Sequence, residues 1–398
     1  MFVKPHVHTK DDGVVRVMFD VSSKGLSNTV FVDMPSGTKP ANIGDAALAL
    51  FLRPAMLQRE TLEVDADVSH AMLSNAEKIQ RMYCQWDDSL EPVAVHARQK
   101  CDHELERRQD NNAIFFTAGA DSFYSYYTNQ KTVSRLVAVH GFDVPIHHNR
   151  LWNTVSTRLS ACAEELGVPI LYVKTNLRRV ITNDVASWDM YHGGALAAIG
   201  LLLGNAASAF YISSTFSADV PHGSNAKLDP LWSNDRTSFV HFGADTSRSD
   251  KLRSLAKHPT AIRHLRVCYK NHGGKYNCGE CEKCMRTMMC LWAAGIEDLK
   301  PAFGRNLTLR DFKHFRPVRD ASHRRYDTRL CEYYQPIIDM AKARNADPRT
   351  ISALQRSIMR GKPLLREKIY RAFYNLALAV YHALPNSYKT MICASCGR

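Results

Sequence analysis

Between residues 111 and 214 four short apolar runs alternate with helix-like stretches, and no other feature narrows the fold as far. The runs are AIFFT (113–117), LVAVH (136–140), PILYV (169–173) and SAFYISS (208–214), with helical stretches near 121–131, 153–166 and 192–204. Runs this short, rich in aromatic and β-branched residues, are strands buried on both faces of a parallel sheet and joined by crossover helices. The pattern predicts an α/β fold with a doubly wound parallel sheet. In such sheets ligands sit at the carboxyl ends of the strands, so the loops after 117, 140, 173 and 214 are the places to search.

The flanks differ. In 1–110 the Val- and Phe-rich segments 13–22 and 29–34, separated by the turn-prone KGLSN, predict a strand pair. GDAALALFLRPAML predicts a buried helix ending at Pro54. Met72, Leu73, Ala76, Ile79, Tyr83 and Trp86 recur at three- and four-residue intervals, the stripe of an amphipathic helix. Together these predict an N-terminal α+β domain (1–110), followed by the ligand-binding domain (111–300) and a basic helical C-terminal extension (301–398) whose best helix is 364–384.

Charge sharpens this division. The chain carries 52 Lys+Arg against 39 Asp+Glu, a net +13, which points towards nucleic acid or an anionic membrane. Of these, 19 basic and 7 acidic residues fall in 301–398, leaving 33 and 32 in 1–300. The excess belongs to the tail, where it suggests an anionic partner (nucleic acid, a lipid surface or an acidic protein) and says little about a reaction. The longest apolar stretch, 372–384, falls short of the ~20 residues of a membrane span. Eleven cysteines behind a start without a signal-peptide core suit a reducing, cytoplasmic setting.

The first strand of the α/β region runs into Thr117, Ala118, Gly119, Ala120, Asp121 and Ser122. Small residues between a buried strand and a helix let main-chain N–H groups approach an anion at the positive helix end, the chemistry of a pyrophosphate cradle. A tight strand-to-helix turn with no ligand is the competing reading. Neither a Walker A loop nor a GxGxxG fingerprint is present, which argues against kinase-like NTPases and dinucleotide oxidoreductases.

The sharper signal is VCYKNHGGKYNCGECEKCMRTMM, which places Cys268, Cys278, Cys281 and Cys284 at spacings of ten, three and three. Overlapping Cys-x-x-Cys steps bring three sulfurs to one ion, and Gly273 with Gly274 lets Cys268 close a tetrahedron, so a structural Zn2+ site is the favoured reading. A redox dithiol and an iron–sulfur cluster are the alternatives. Lys275, Lys283 and Arg286 can offset tetrathiolate charge. A lone Cys-x-x-Cys at Cys393 and Cys396 suggests a dithiol or two unrelated thiols.

With its TAGADS loop the chain resembles the PP-loop ATP pyrophosphatases (adenine nucleotide alpha hydrolases), whose loop reads SGGxDS. Thr117 keeps the first hydroxyl, Gly119, Asp121 and Ser122 match, and Ala118 replaces a glycine. The Cys-Tyr pair followed by Cys-Gly-x-Cys-x-x-Cys resembles the zinc-binding end of the 7-cyano-7-deazaguanine synthases (QueC-like proteins). Loop and knuckle bracket 113–290; the N-terminal 110 residues, the segment 214–235 and the tail depart from that pattern.

The resemblance implies an enzyme that uses ATP with Mg2+, releases pyrophosphate, adenylates a carboxylate or carbonyl and passes it to a nitrogen nucleophile, as a C–N bond-forming ligase or synthase. The substrate implied is a small-molecule or peptide carboxylate. Asp121, Ser122 and Lys251 are then the catalytic candidates. Thr117, Ala118, Gly119, Ala120, Asp121 and Ser122 would hold phosphates, with Val139 and His140 beside the nucleobase. Ser214, His222, Ser224 and Arg248 are substrate-side candidates, and Asp143 a ribose neighbour or turn cap. Two alternatives stay open: a nucleic-acid-modifying or defence-associated QueC-like enzyme, and a catalytically inactive nucleotide-binding scaffold.

Overall fold

A computed structural model describes residues 1–24, 27–99, 111–184, 187–315 and 333–360. The chain divides into two units, Met1–Asn306 and Leu307–Arg398. Among its described residues the first contains ten strands: β1 (Phe2–Thr9), β2 (Val15–Ser22), β3 (Ser27–Met34), β4 (Leu62–Val68), β5 (Val95–Gln99), β6 (Asn112–Phe115), β7 (Val133–His140), β8 (Ile170–Thr175), β9 (Ala209–Ser213) and β10 (Ser238–Phe242). They form one sheet in the order β10-β9-β6-β7-β8-β3-β2-β1-β4-β5. Every neighbour pair from β10 to β8 is parallel. The chain steps from β6 through β7 to β8 and then returns to the opposite side of β6 for β9, so the winding reverses between β6 and β9.

The N-terminal segment expected to form its own α+β domain instead extends this sheet. β3 joins β8 antiparallel through Val32↔Thr175 and Asp33↔Lys174. Side chains lengthen the short seam: Thr175 Oγ1 donates to Phe31 O at 2.6 Å, and Asn176 bonds Phe31 N and Thr29 O at 2.8 and 2.9 Å. A single apolar core runs beneath both halves. It is crossed by helix α1 (Ile43–Gln58), which packs against a later helix, Trp188–Leu202. Gly194 allows that approach, since a Cβ there would lie 2.7 Å from Ala49 O.

α1 also corrects the expectation that it ends at Pro54: it continues to Gln58. Proline removes the N–H that would bond the carbonyl four residues earlier. That carbonyl, Leu50 O, instead accepts from Tyr191 Oη at 2.9 Å, so the buried helix runs on without an orphaned acceptor. The amphipathic stripe predicted near residue 80 is α2 (His70–Trp86), and the crossover helices are α3 (Ala120–Asn129) and α4 (Asn149–Leu166).

In the second unit, helices Leu309–His314, Gln335–Ala343 and Pro348–Arg360 bury Phe312, Phe315, Tyr334, Ile337 and Leu354, in keeping with a helical extension. The expected helix 364–384, Cys393 and Cys396 lie outside the described residues. No described helix is long and apolar enough to cross a membrane.

Candidate functional site

The TAGADS loop leaves β6 where the winding of the sheet reverses, the position at which open α/β sheets hold ligands. Phe116 N–H still bonds Val137 O at 2.8 Å, and then the chain turns. Ala118 makes the turn at φ 54°, a left-handed conformation that places its methyl under strain. Its carbonyl is held by the N–H of Arg266 at 2.8 Å. Gly119 caps α3, and Ser122 Oγ donates to Gly119 O at 3.1 Å, closing the turn. Thr117 is exposed, and the N–H groups of Ala120, Asp121 and Ser122 are first-turn donors at the positive end of a ten-residue helix.

Two cations converge on this turn from helix Arg248–Leu255, whose start is fixed by Ser247 Oγ accepting from Asp250 N–H. Arg248 Nη1 lies 2.6 Å and Lys251 Nζ 3.3 Å from the Asp121 carboxylate. Lys251 is 2% exposed, and its ammonium also donates to Ser214 O at 2.6 Å. Burial lowers its pKa from the ordinary lysine value, while Asp121 opposes that shift. Asp121, Ser214, Arg248 and Lys251, read separately from the sequence, are thus one hydrogen-bonded group.

The other candidates lie around it. His222 packs 4.6 Å from the His192 ring and 4.8 Å from that of Phe216. Burial lowers its pKa, so it is not a free loop histidine. Ser224 Oγ donates to Asp229 Oδ2 at 2.7 Å, and His241 Nδ1 lies 2.7 Å from the same oxygen. Asp229 is fully buried and organises the loop between β9 and β10. Val139 and His140 end β7; the His140 ring stacks on Trp152 at 4.4 Å, and its Nε2 is buried without a partner. Asp143 is exposed.

The four predicted metal-ligating cysteines meet. The sulfurs of Cys268, Cys278, Cys281 and Cys284 lie within 4.8 Å of one another, close enough to bind one metal ion and compatible with Zn2+. Gly279 turns the chain at φ 72°, and Cys281 caps the helix Glu282–Ala293, whose positive end faces the cluster. Asn271 N–H and Cys281 N–H point at the sulfurs of Cys268 and Cys278, at 3.1 and 3.2 Å. Cys290 stays apart, buried, with its thiol pushed up to about 12 by burial.

Sequence reasoning missed three supports. Asn277 is buried and binds Val267 N, Cys268 N, Leu265 O and Ala302 O, pinning the segment that carries Cys268. Arg266 joins that segment to the turn after β6. Asp229 with His241 ties the β9–β10 loop. None has a periodic or spacing signature, because each acts through a contact made only in the fold. Comparison of the chain with family models, curated proteins and solved structures yields no match. Fold and site therefore define an α/β protein with a four-cysteine cluster and a paired-cation turn at the switch of its sheet.

Proposed function

We propose that the protein is an ATP-dependent adenylating enzyme of the PP-loop type, related in chemistry to QueC-like ligases. The observation that carries the reading is the convergence of the turn after β6, the Ser214 carbonyl and the cations Arg248 and Lys251 on Asp121. The pyrophosphate of ATP would lie on the N–H groups of Ala120–Ser122. Arg248 and Lys251, held in place by Asp121, would stabilise charge growing on the departing pyrophosphate. Asp121 would be the carboxylate to hold a Mg2+ that accompanies the phosphates, which would supply further charge neutralisation there.

A substrate carboxylate oxygen attacks the α phosphorus, pyrophosphate leaves, and a nitrogen nucleophile then displaces AMP from the acyl carbon. A Zn2+ held by four thiolates would have no open position, so its role would be to fix the segment 265–268 against the turn. Ala118 already adopts the conformation for which a glycine would be chosen, which weighs against an inactive scaffold. The positive charge of 301–398 favours an anionic partner there, which steeply salt-dependent RNA or DNA binding by the full chain would test.

The direct test is ATP–pyrophosphate exchange by the full-length protein over a panel of carboxylates. Lys251→Met should lower exchange by about 10²–10³-fold with folding retained. A folded protein that neither binds ATP nor exchanges pyrophosphate with any carboxylate would remove the reading.

A further inference from the structure

Seven cysteines lie among the described residues, and their surroundings sort them into two kinds. Cys162 and Cys290 are buried apart from the others, and burial pushes each thiol up to about 12, far from the reactive range. Cys84 is half-buried on α2, and burial raises its thiol as well. The remaining four form the cluster, and as ligands of one metal ion each would be a thiolate. The thiolate is the form that an oxidant takes.

Within the cluster the four sulfurs are not equivalent. Cys268, Cys278 and Cys284 are 3%, 5% and 0% exposed, whereas Cys281, at the N-cap of the helix Glu282–Ala293, is half-buried. A small solute therefore meets Cys281 first. Cys268 Sγ lies 3.9 Å from Cys281 Sγ, and the buried Cys278 Sγ lies 3.9 Å from Cys284 Sγ. Closing either gap to the ~2.05 Å of a disulfide needs a small shift of the chain. The Cys268 side has room for it: the segment from Tyr269 to Lys275 is mostly exposed, and it turns on Gly273 and Gly274, which have open space around them.

We propose that Cys281 and Cys268 form an oxidation site for peroxide, through which an oxidant unloads the metal and loosens the turn after β6. The Cys281 thiolate attacks one peroxide oxygen, giving a sulfenic acid and hydroxide. The Cys268 thiolate then attacks the sulfenic sulfur, forming the disulfide and expelling a second hydroxide. Two thiolates have lost two electrons, and the peroxide has gained them. Only two thiolates of the four are left, which ends a closed tetrahedral Zn2+ site. Cys268 lies two residues from Arg266, whose N–H holds the Ala118 carbonyl at 2.8 Å, so the change reaches the left-handed turn. The inference does not rest on the adenylation reading, and either can fail alone.

The test exposes the full-length, zinc-loaded protein to hydrogen peroxide. Released zinc is followed with a chromogenic chelator, disulfides by peptide mass spectrometry, and the turn by hydrogen exchange over 116–122. Zinc should leave together with formation of the Cys268–Cys281 disulfide, while Cys162 and Cys290 stay reduced and exchange over 116–122 rises. Dithiothreitol with added zinc should reverse all of this. Cys281→His keeps a side chain that zinc accepts and removes the accessible sulfur. Its zinc release should be slower by at least about tenfold, because thiolate character and exposure set susceptibility to oxidation. Zinc that stays bound with Cys268 and Cys281 reduced, a first disulfide between any other pair, release from Cys281→His as fast as from the parent, or exchange over 116–122 unmoved by oxidation would overturn the proposal. So would a purified protein that takes up no zinc.

Discussion

In β2, Val15, Val17, Phe19 and Val21 turn inward, while Arg16, Met18, Asp20 and Ser22 are half-buried or exposed. In β7, Leu136, Val137 and Ala138 are buried one after another. One ladder of strands thus has two kinds of neighbourhood. The parallel half is covered on both faces and reverses its winding, which creates a carboxyl-edge crevice; the N-terminal half is covered by α1 and α2 on one face and has no reversal. Depth of burial sets stability in both halves, but only the half with a reversal gathers Asp121, Ser214 and Lys251. If that contrast is real, substitutions should separate stability from chemistry according to the half they strike.

Metal removal should have the largest effect. Cys281→Ser should lose the bound ion and destabilise Met1–Asn306 by several kcal/mol, since metal binding free energy is folding free energy; elemental analysis and thermal unfolding would measure this. A metal-free variant as stable as its parent would break the link between cluster and fold. Phe19→Ala, at a fully buried site in the other half, should cost about 3–5 kcal/mol in chemical denaturation. Exchange activity per folded molecule should be unchanged, and a selective loss of activity would erase the contrast.

A smaller effect should follow pH. Burial holds the His192 imidazole down to about 4 from an ordinary 6.5. The unfolded chain takes up that proton first, so this contribution to stability is complete above pH 6.5 and falls as pH drops towards 4. Denaturation midpoints should decline over that window, and His192→Gln should flatten the decline. The smallest change expected is a gain: Ala118→Gly relieves a left-handed alanine and should stabilise the protein by about 1 kcal/mol. A loss instead would mean that the methyl packs too well to give up.

The sequence made the parallel half legible because its strands are continuous apolar runs, and made the cysteine cluster legible because ligand spacing is fixed by metal geometry. It did not show β1, whose FVKPHVHT contains Pro5 and exposed histidines; the strand is stabilised by β2 along its whole length. Nor did it show β10, a five-residue strand that completes the edge beside β9. Pro54 reads as a helix end until Tyr191, 137 positions later in the chain, supplies the missing donor. Asp121, Arg248 and Lys251 were each legible as candidates, but their meeting depends on how the helix Arg248–Leu255 packs on α3, which no local pattern encodes.

The hydrogen bond from Arg266 N–H to Ala118 O connects the turn after β6 with the segment that leads into the cysteine cluster. Cys268 lies two residues beyond Arg266, on the segment that Asn277 pins, so ordering the cysteine cluster orders the carbonyl grip on the left-handed turn. Such coupling is reciprocal: if a metal ion at the cysteines raises the affinity of the turn for an anion, the anion raises the affinity for the metal by the same factor. Metal supply and anion supply then become two inputs to one equilibrium, and a cell short of either would find the protein less able to hold the other.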